Sequence, residues 1–284
     1  MPLNYSPTLR SRRLRAILRQ LREEHALTLD QAARQVDWTG AKLSRIETGQ
    51  RGAHPNDVRA LADLYGITGR EREALITLAR EARQRGWWQP YGSVLPPGFA
   101  TYVDLESEAS KIATYSPELV PGLLQTEDYA RAQIGAAPTQ EPDDEIDKRV
   151  AVRMKRQQRL TEAGGPTVLA ILNEAVLYRQ VGGRDALHRQ LTHVLDLATN
   201  PKISIHILPF AAGSHPGTHG EFVLLEFPTS QDAGIIYVEY LTGRAFLEEP
   251  DEIVQYHLVL DHLRARSLSR EDSTTLISNI IRRS

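Results

Sequence analysis

The chain has 284 residues, of which 41% are hydrophobic and 25% charged, a composition typical of a soluble protein with room for two domains. Its net charge of -2 excludes a uniformly basic protein. There is no cysteine, which excludes disulfides, thiolate metal sites and thiol nucleophiles.

The N-terminal stretch MPLNYSPTLRSRR has no apolar signal core, and no apolar run in the chain approaches the ~20 residues of a membrane span. We therefore expect a cytoplasmic protein that does not associate with a membrane.

Residues 9–24 repeat apolar side chains at helical spacing, which predicts an amphipathic first helix. Residues 28–51 predict two short helices joined by a tight turn. Thr28 and Gln31 form a capping box at the start of the first, and Thr39 caps the second. Gly49 suits the left-handed residue that ends a helix.

Two more helices follow. Pro55 opens the fourth and Gly66 closes it. Thr68 and Glu71 predict a capping box for the fifth, which should run to about Arg85. The N-terminal part is thus predicted to be an all-α unit of five helices.

The third helix carries the chemistry. Lys42 and Arg45 should be exposed above Leu43 and Ile46, which face inward. Such a basic helix can enter a DNA major groove. The alternative is a solvated helix face without a ligand.

Residues 9–80 resemble the lambda repressor and Cro type of helix-turn-helix domain, the XRE family. The matching residues are Thr28, Gln31 and Ala33, followed by LSRIETGQR at 43–51. The resemblance implies a DNA-binding domain over residues 1–85 and a double-stranded DNA operator as partner. It also implies a homodimer, because such proteins read two-fold related half-sites.

The chain departs from the family pattern twice. Asp37 stands where the family usually has a turn glycine, although aspartate tolerates a positive φ. Gly40 stands where many members carry a long base-reading side chain. Base contacts are therefore assigned to Ala41, Lys42 and Arg45, with Arg45 suited to guanine. Contacts to the DNA backbone are assigned to Thr28, Gln31, Thr39 and Arg51.

Charge is distributed unevenly along the chain. Residues 1–85 contain 16 Lys and Arg against 10 Asp and Glu, whereas residues 86–284 contain 18 against 26. A basic N-terminal part attracts DNA phosphates while the acidic remainder does not.

Residues 86–100, GWWQPYGSVLPPGF followed by Ala100, read as an aromatic connector because three Gly and three Pro interrupt the helical periodicity. Residues 101–284 then read as an α+β domain. Helices are predicted up to residue 162 and at about 183–199, 250–267 and 271–282. The strands TVLAIL, KISIHILPF, EFVLLEF and GIIYVEYL should form a largely antiparallel sheet, with the last three as a meander.

This second part resembles the C-terminal domain of actinobacterial WhiJ-like, antitoxin-like regulators. The matching segments are YSPELVPGLLQTEDYARA, LNEAVLYRQVGG, IHILPFAAGSHPGTHGEFVLLEFP and IIYVEYLTGRAFLEEP. The resemblance implies a regulatory domain that binds an effector or a small protein encoded nearby. An alternative is an antitoxin-like protein that neutralises such a partner and autoregulates its own operon.

Only one segment suggests metal chemistry. SHPGTHGE contains His215, His219 and Glu221, which are suitable ligand types, but they lie on a loop that does not guarantee convergence. No phosphate loop, nucleophile elbow or dinucleotide fingerprint is present. We expect no catalytic residue, cofactor or metal, and a DNA-tethered metal enzyme is the least favoured alternative.

Overall fold

The computed structural model describes residues 9–83, 86–137, 142–228 and 234–283. The chain divides into two compact units, Met1–Gln89 and Pro90–Ser284. Within the described ranges, no helix combines the length and the apolar character needed to cross a bilayer. Arg85, the predicted end of the fifth helix, lies outside the described residues.

The first unit contains the five predicted helices. They are α1 (Leu9–Glu24), α2 (Leu29–Gln35), α3 (Gly40–Glu47), α4 (Pro55–Leu64) and α5 (Gly69–Glu81). Their shared core includes Leu18, Ala33, Leu43, Ile46 and Leu61, all without accessible surface. Small Ala33 allows the helices to approach closely, so α2 and α3 cross as a helix-turn-helix pair.

Most of the local signals in this unit are confirmed. Thr28 and Gln31 form the reciprocal capping box, with the Thr28 N–H donating to Gln31 Oε1 at 2.9 Å. Asp37 adopts a positive φ of 57° in the turn, and Gly49 follows α3 at 77°. The capping box predicted at Thr68 is wrong, because Thr68 occupies the N-cap position without a side-chain hydrogen bond.

The second unit is an α+β domain, as predicted. Its helices are α6 (Phe99–Glu108), α7 (Glu127–Gly135), α8 (Asp143–Gln157), α9 (Arg184–Ala198), α10 (Pro250–Arg266) and α11 (Arg270–Arg283). Its strands are β1 (Lys111–Ser116), β2 (Thr167–Asn173), β3 (Ile203–Leu208), β4 (Phe222–Glu226), β5 (Ile235–Tyr240) and β6 (Gly243–Leu247).

The six strands form one sheet in the order β3-β2-β1-β4-β5-β6. Strands β1, β2 and β3 are parallel to one another, whereas β4, β5 and β6 are antiparallel, and β4 pairs antiparallel with β1. The prediction of a largely antiparallel sheet is therefore wrong, because the sheet is mixed.

Two strands, β1 and β6, were absent from the prediction. Strand β1 lies at the centre of the sheet with five of its six residues buried, yet its sequence KIATYS follows α6 so closely that it reads as a helix continuation. With β1 missing, β3 and β4 appear to be hairpin partners. In the structure, helices α7 to α9 lie between the first three strands along the chain, and such crossovers produce parallel pairing.

A nearly buried ion pair fixes α3 within the first unit. Arg22 on α1 donates from Nε and Nη2 to the two carboxylate oxygens of Glu47, both at 2.9 Å. The two side chains are only 12% and 5% exposed. Arg22 also donates to the Leu27 carbonyl at 2.9 Å. The pair ties the C-terminal end of α3 to α1 in one geometry.

A second such pair lies in the other unit. Arg156 on α8 donates from Nε and Nη2 to the carboxylate of Glu106 on α6, both at 2.7 Å, and each side chain is 5% exposed. Burial alone would lower the pKa of Arg156, but the Glu106 charge and hydrogen bonds raise it above its usual value. The pair therefore stays ionised and joins α6 to α8.

Glu47→Gln should destabilise the first unit by about 3 kcal/mol, because it removes the nearly buried carboxylate of the Arg22 pair and leaves only the exposed Glu23, 3.4 Å away, as a countercharge. Hydrogen exchange of the full chain should show amides of α3 exchanging roughly a hundredfold faster. Glu73→Gln is the control, since Glu73 is 67% exposed in its ion pair with Arg72. Equal protection of α3 in both variants would show that the pair does not hold this helix.

Candidate nucleic-acid interface

Helix α3 presents Ala41 and Arg45 on one exposed face. The two residues are one turn apart, and the Arg45 Nε donates to the Ala41 carbonyl at 3.1 Å. Leu43 and Ile46 face the core without accessible surface, as predicted. The helix therefore has one face fixed by packing and another that offers a guanidinium to solvent.

Lys42 is held by its own protein. Its Nζ lies 2.8 Å from Asp57 Oδ1 and 3.4 Å from the centre of the Trp38 ring. The Lys42 side chain is 21% exposed. A contact between Lys42 and DNA thus requires its ammonium to exchange the Asp57 carboxylate for a base or a phosphate.

Asp57 was not predicted, and α4 explains its position. His54 is the N-cap of α4 and Asp57 is the third residue of its capping box, where its Oδ2 accepts the His54 N–H at 3.1 Å. This bond holds the carboxylate beside α3. A capping box read at His54 from the sequence would have placed the acidic group, although not its contact with Lys42.

The pKa of Asp57 reflects these contacts. Burial raises it, but the hydrogen bonds from Lys42 and the His54 N–H, with the Lys42 charge, produce a net lowering below the usual value. A lowered folded pKa contributes stability that is present above the unfolded pKa and is lost as the pH falls through the folded pKa. At neutral pH the Lys42–Asp57 pair is therefore fully formed.

The residues assigned to the DNA backbone lie at exposed positions of the motif. Thr28 and Gln31 bond each other at the start of α2, and Thr39 Oγ1 accepts the Lys42 N–H at 3.2 Å at the start of α3. Arg51 is exposed after α3, and its N–H donates to the Arg45 carbonyl at 2.9 Å. The cap hydroxyls are thus engaged within the protein, and Arg51 is the one extended cation among these four residues.

Gly40 marks the closest approach of α2 to α3. A Cβ at this position would lie 1.9 Å from Oδ1 of Asp30 on α2. The glycine allows the Asp30 carboxylate to reach the N-terminal end of α3, which favours negative charge. Position 40 therefore contributes packing and no side chain, and the exposed side-chain surface of α3 starts at Ala41.

Arg15 closes the other end of α3. Its Nη1 donates to the Thr48 carbonyl at 3.0 Å. A Cβ at Gly49 would lie 1.6 Å from this Arg15 Nη1. A glycine at position 49 thus gives both the left-handed backbone and the space for this cation. The sequence predicted only the first of these roles.

The loop considered for metal binding does not assemble a ligand set. The His215 ring packs edge-on against Tyr115 with centroids 6.0 Å apart, whereas His219 is exposed. The Glu221 carboxylate instead accepts a hydrogen bond from Ser116 Oγ at 3.0 Å. In the part of the chain that the structure describes, no three His, Asp or Glu side chains are grouped to hold a metal ion.

Comparison with known families assigns both parts of the chain. A helix-turn-helix domain matches residues 13–75, and a domain of unknown function, DUF5753, matches residues 99–279. Comparison with curated proteins and with solved structures gave no match. The helix-turn-helix match supports a DNA-binding regulator rather than an enzyme. The second match spans more than half of the chain, which therefore belongs to the DUF5753 family.

Proposed function

We propose that this protein is a sequence-specific, repressor-like transcriptional regulator that binds an operator through α3. The exposed Arg45 on a short helix, whose C-terminal end is fixed by two α1 residues, is the observation that carries the proposal. A side chain that reads bases must project from a rigidly placed element, because small displacements break bidentate geometry.

Within this proposal, Arg45 donates two hydrogen bonds to guanine O6 and N7, and Ala41 contacts a thymine methyl group. Lys42 contributes a third base contact once it leaves Asp57. Thr28, Gln31 and Thr39 lie against phosphates at the helix starts, and Arg51 binds a phosphate by charge. Base contacts specify the sequence, whereas phosphate contacts set the orientation.

A homodimer follows from the same proposal, since two copies of α3 would read half-sites about one helical turn of DNA apart. Residues 86–100 would connect the DNA-binding domain to a regulatory domain at 101–284. That domain would change DNA affinity when it binds a small protein or ligand, as the WhiJ-like resemblance implies. The acidic charge of residues 86–284 supports this division, because it disfavours contact with DNA.

Arg45→Ala should lower operator affinity by about 1–3 kcal/mol and relax discrimination at one base pair. The operator is first selected from random duplexes with the wild-type chain, and binding to its single-base variants is then measured by fluorescence anisotropy. Arg80→Ala, which removes an exposed arginine from α5, is the matched control. An unchanged base preference in the Arg45 variant would disprove this base contact.

Arg51→Ala should weaken binding to all duplexes alike, because a phosphate contact carries no sequence information. The slope of log K against log salt should become shallower by about 1. Titrations of the operator and a random duplex at several salt concentrations measure both effects. A loss confined to the operator would show that Arg51 reads a base.

Asp57→Asn should tighten binding to random duplexes and steepen the salt slope by about 1, because the released Lys42 gains a phosphate. Asparagine keeps an acceptor for the His54 N–H, so α4 retains its cap. The double variant Asp57→Asn, Lys42→Gln should lose the gain. If the double variant keeps it, the effect comes from the removed negative charge alone and Lys42 does not reach DNA.

A further inference from the structure

The second unit contains a cavity of about 760 Å³ that is partly open to solvent. One wall is the sheet, with Thr114 on β1 and Val223 on β4, and the other includes Ile134 on α7 and Arg153 on α8. Sites for small organic molecules have volumes of roughly 300–1,000 Å³ and combine apolar walls with a few polar groups. The cavity has both the size and the composition of such a site.

Most charges around the cavity are compensated by direct contacts. Arg156 is paired with Glu106 as described above. Glu239 on β5 lies 2.5 Å from Arg244 Nη2 and accepts the Tyr237 hydroxyl at 2.8 Å. These groups build the wall, and a ligand would gain little by displacing them.

Arg153 is bound differently. Its Nη1 donates to the side-chain oxygens of Gln125, at 2.6 Å, and of Gln133, and both partners are neutral amides. Burial, with the positive charges of Arg156 and Arg149, lowers the pKa of Arg153 to about 10, so it remains a cation at neutral pH. A half-buried cation whose hydrogen-bond partners are neutral amides favours an anionic group in the cavity.

Glu221 is the complementary group. Its carboxylate accepts the Ser116 hydroxyl at the cavity wall, and the residue is also exposed to solvent. Burial and the negative charge of Glu239 raise its pKa, against the Ser116 hydrogen bond and the field of Arg153. A protonated amine at this carboxylate would offset that cost.

Part of the wall around these two charges is apolar. It is formed by Val120, Leu123, Leu124, Ile134, Val168 and Val223. Apolar groups of a ligand would leave water here, and each buried CH₂ contributes about 0.8 kcal/mol to binding. A ligand without charges would leave both Arg153 and Glu221 without an opposite charge. A simple anion would compensate Arg153 but not Glu221.

We infer that this cavity binds an amphoteric small molecule whose carboxylate lies on Arg153 and whose protonated amine lies on Glu221, with an apolar body against the walls. Free apolar amino acids and short peptides are the chemical class that fits. The inference deepens the proposed function, because it rests on that proposal for the claim that such a ligand is the effector of DNA binding. The cavity itself lies within the second unit.

The first test changes the ligand and leaves the protein intact. Calorimetry of the full chain without DNA is carried out with dipeptides of leucine, valine and phenylalanine, their N-acetyl forms and their C-terminal amides. We expect at least one free dipeptide to bind roughly ten- to a hundredfold more tightly than either of its blocked forms. No binding at millimolar concentration, or equal binding of the N-acetyl form, would overturn the inference.

The second test assigns each end of the ligand. Arg153→Gln should weaken the free dipeptide and its N-acetyl form roughly ten- to a hundredfold and leave the amide unchanged. Glu221→Gln should weaken the free dipeptide and the amide by the same factor and leave the N-acetyl form unchanged. Arg131→Gln and Glu226→Gln, outside the cavity lining on α7 and β4, are the matched controls. Uniform loss across all ligand forms would overturn the assignment.

These outcomes are separable from those of the proposed function. Calorimetry contains no DNA, so an empty cavity would leave operator recognition by α3 intact. Conversely, if the Arg45→Ala variant kept operator specificity, the proposed base contact would be wrong, but the inference of dipeptide binding would not be affected. Equal operator affinity of the free and the dipeptide-saturated protein would remove the ligand's role as effector.

Discussion

The ion pair between Arg22 and Glu47 is the constraint on which the exposed surface of α3 depends. Helix α3 has only eight residues, too few to persist by itself in water, so its position must come from tertiary contacts. The core holds its inner face through Leu43 and Ile46, but apolar packing alone does not fix rotation to the tolerance of a bidentate base contact. Two α1 cations supply that precision at one end of the helix, Arg22 on Glu47 and Arg15 on the Thr48 carbonyl.

The same surface shows why a count of basic residues overestimates the charge available to DNA. Lys42 is neutralised by Asp57 and covered by Trp38, while Arg22 and Arg15 serve the scaffold. Arg45 is left as the exposed guanidinium of α3. If Arg45 reads a base as proposed, such a surface would bind random DNA weakly and gain affinity at the matching base pair, which would favour discrimination over non-specific attraction.

The sequence predicted the first unit well because its determinants are local. The capping box at Thr28, the positive φ of Asp37 and the glycine after α3 act over three or four residues, and each was read correctly. The sheet depended on tertiary context instead. Strand β1 contains the strand formers Ile112, Thr114 and Tyr115, but it is short and begins three residues after α6, so only its pairing with two neighbouring strands identifies it. Arg153 and Glu221 likewise could not be paired from the sequence, since only the fold brings α8 and the start of β4 to one cavity. Glu221 was singled out for a metal set with His215 and His219, whereas the structure directs it towards the cavity.

The arrangement of charges in the second unit also limits how an effector can act. A ligand changes DNA affinity only by the ratio of its affinities for the DNA-bound and DNA-free protein, and DNA must change ligand affinity by the same factor. The cavity wall is well suited to such a bias, because its charged parts form compensated pairs on different elements, Arg156 of α8 with Glu106 of α6 and Arg244 of β6 with Glu239 of β5. A ligand carboxylate on Arg153 would offset the repulsion between Arg153 and neighbouring Arg156, which is paired with Glu106 of α6. Ligand binding in the cavity would thereby change the local stability of the helices and strands that form its wall. A change in local stability is one way in which a binding event is transmitted through a folded domain.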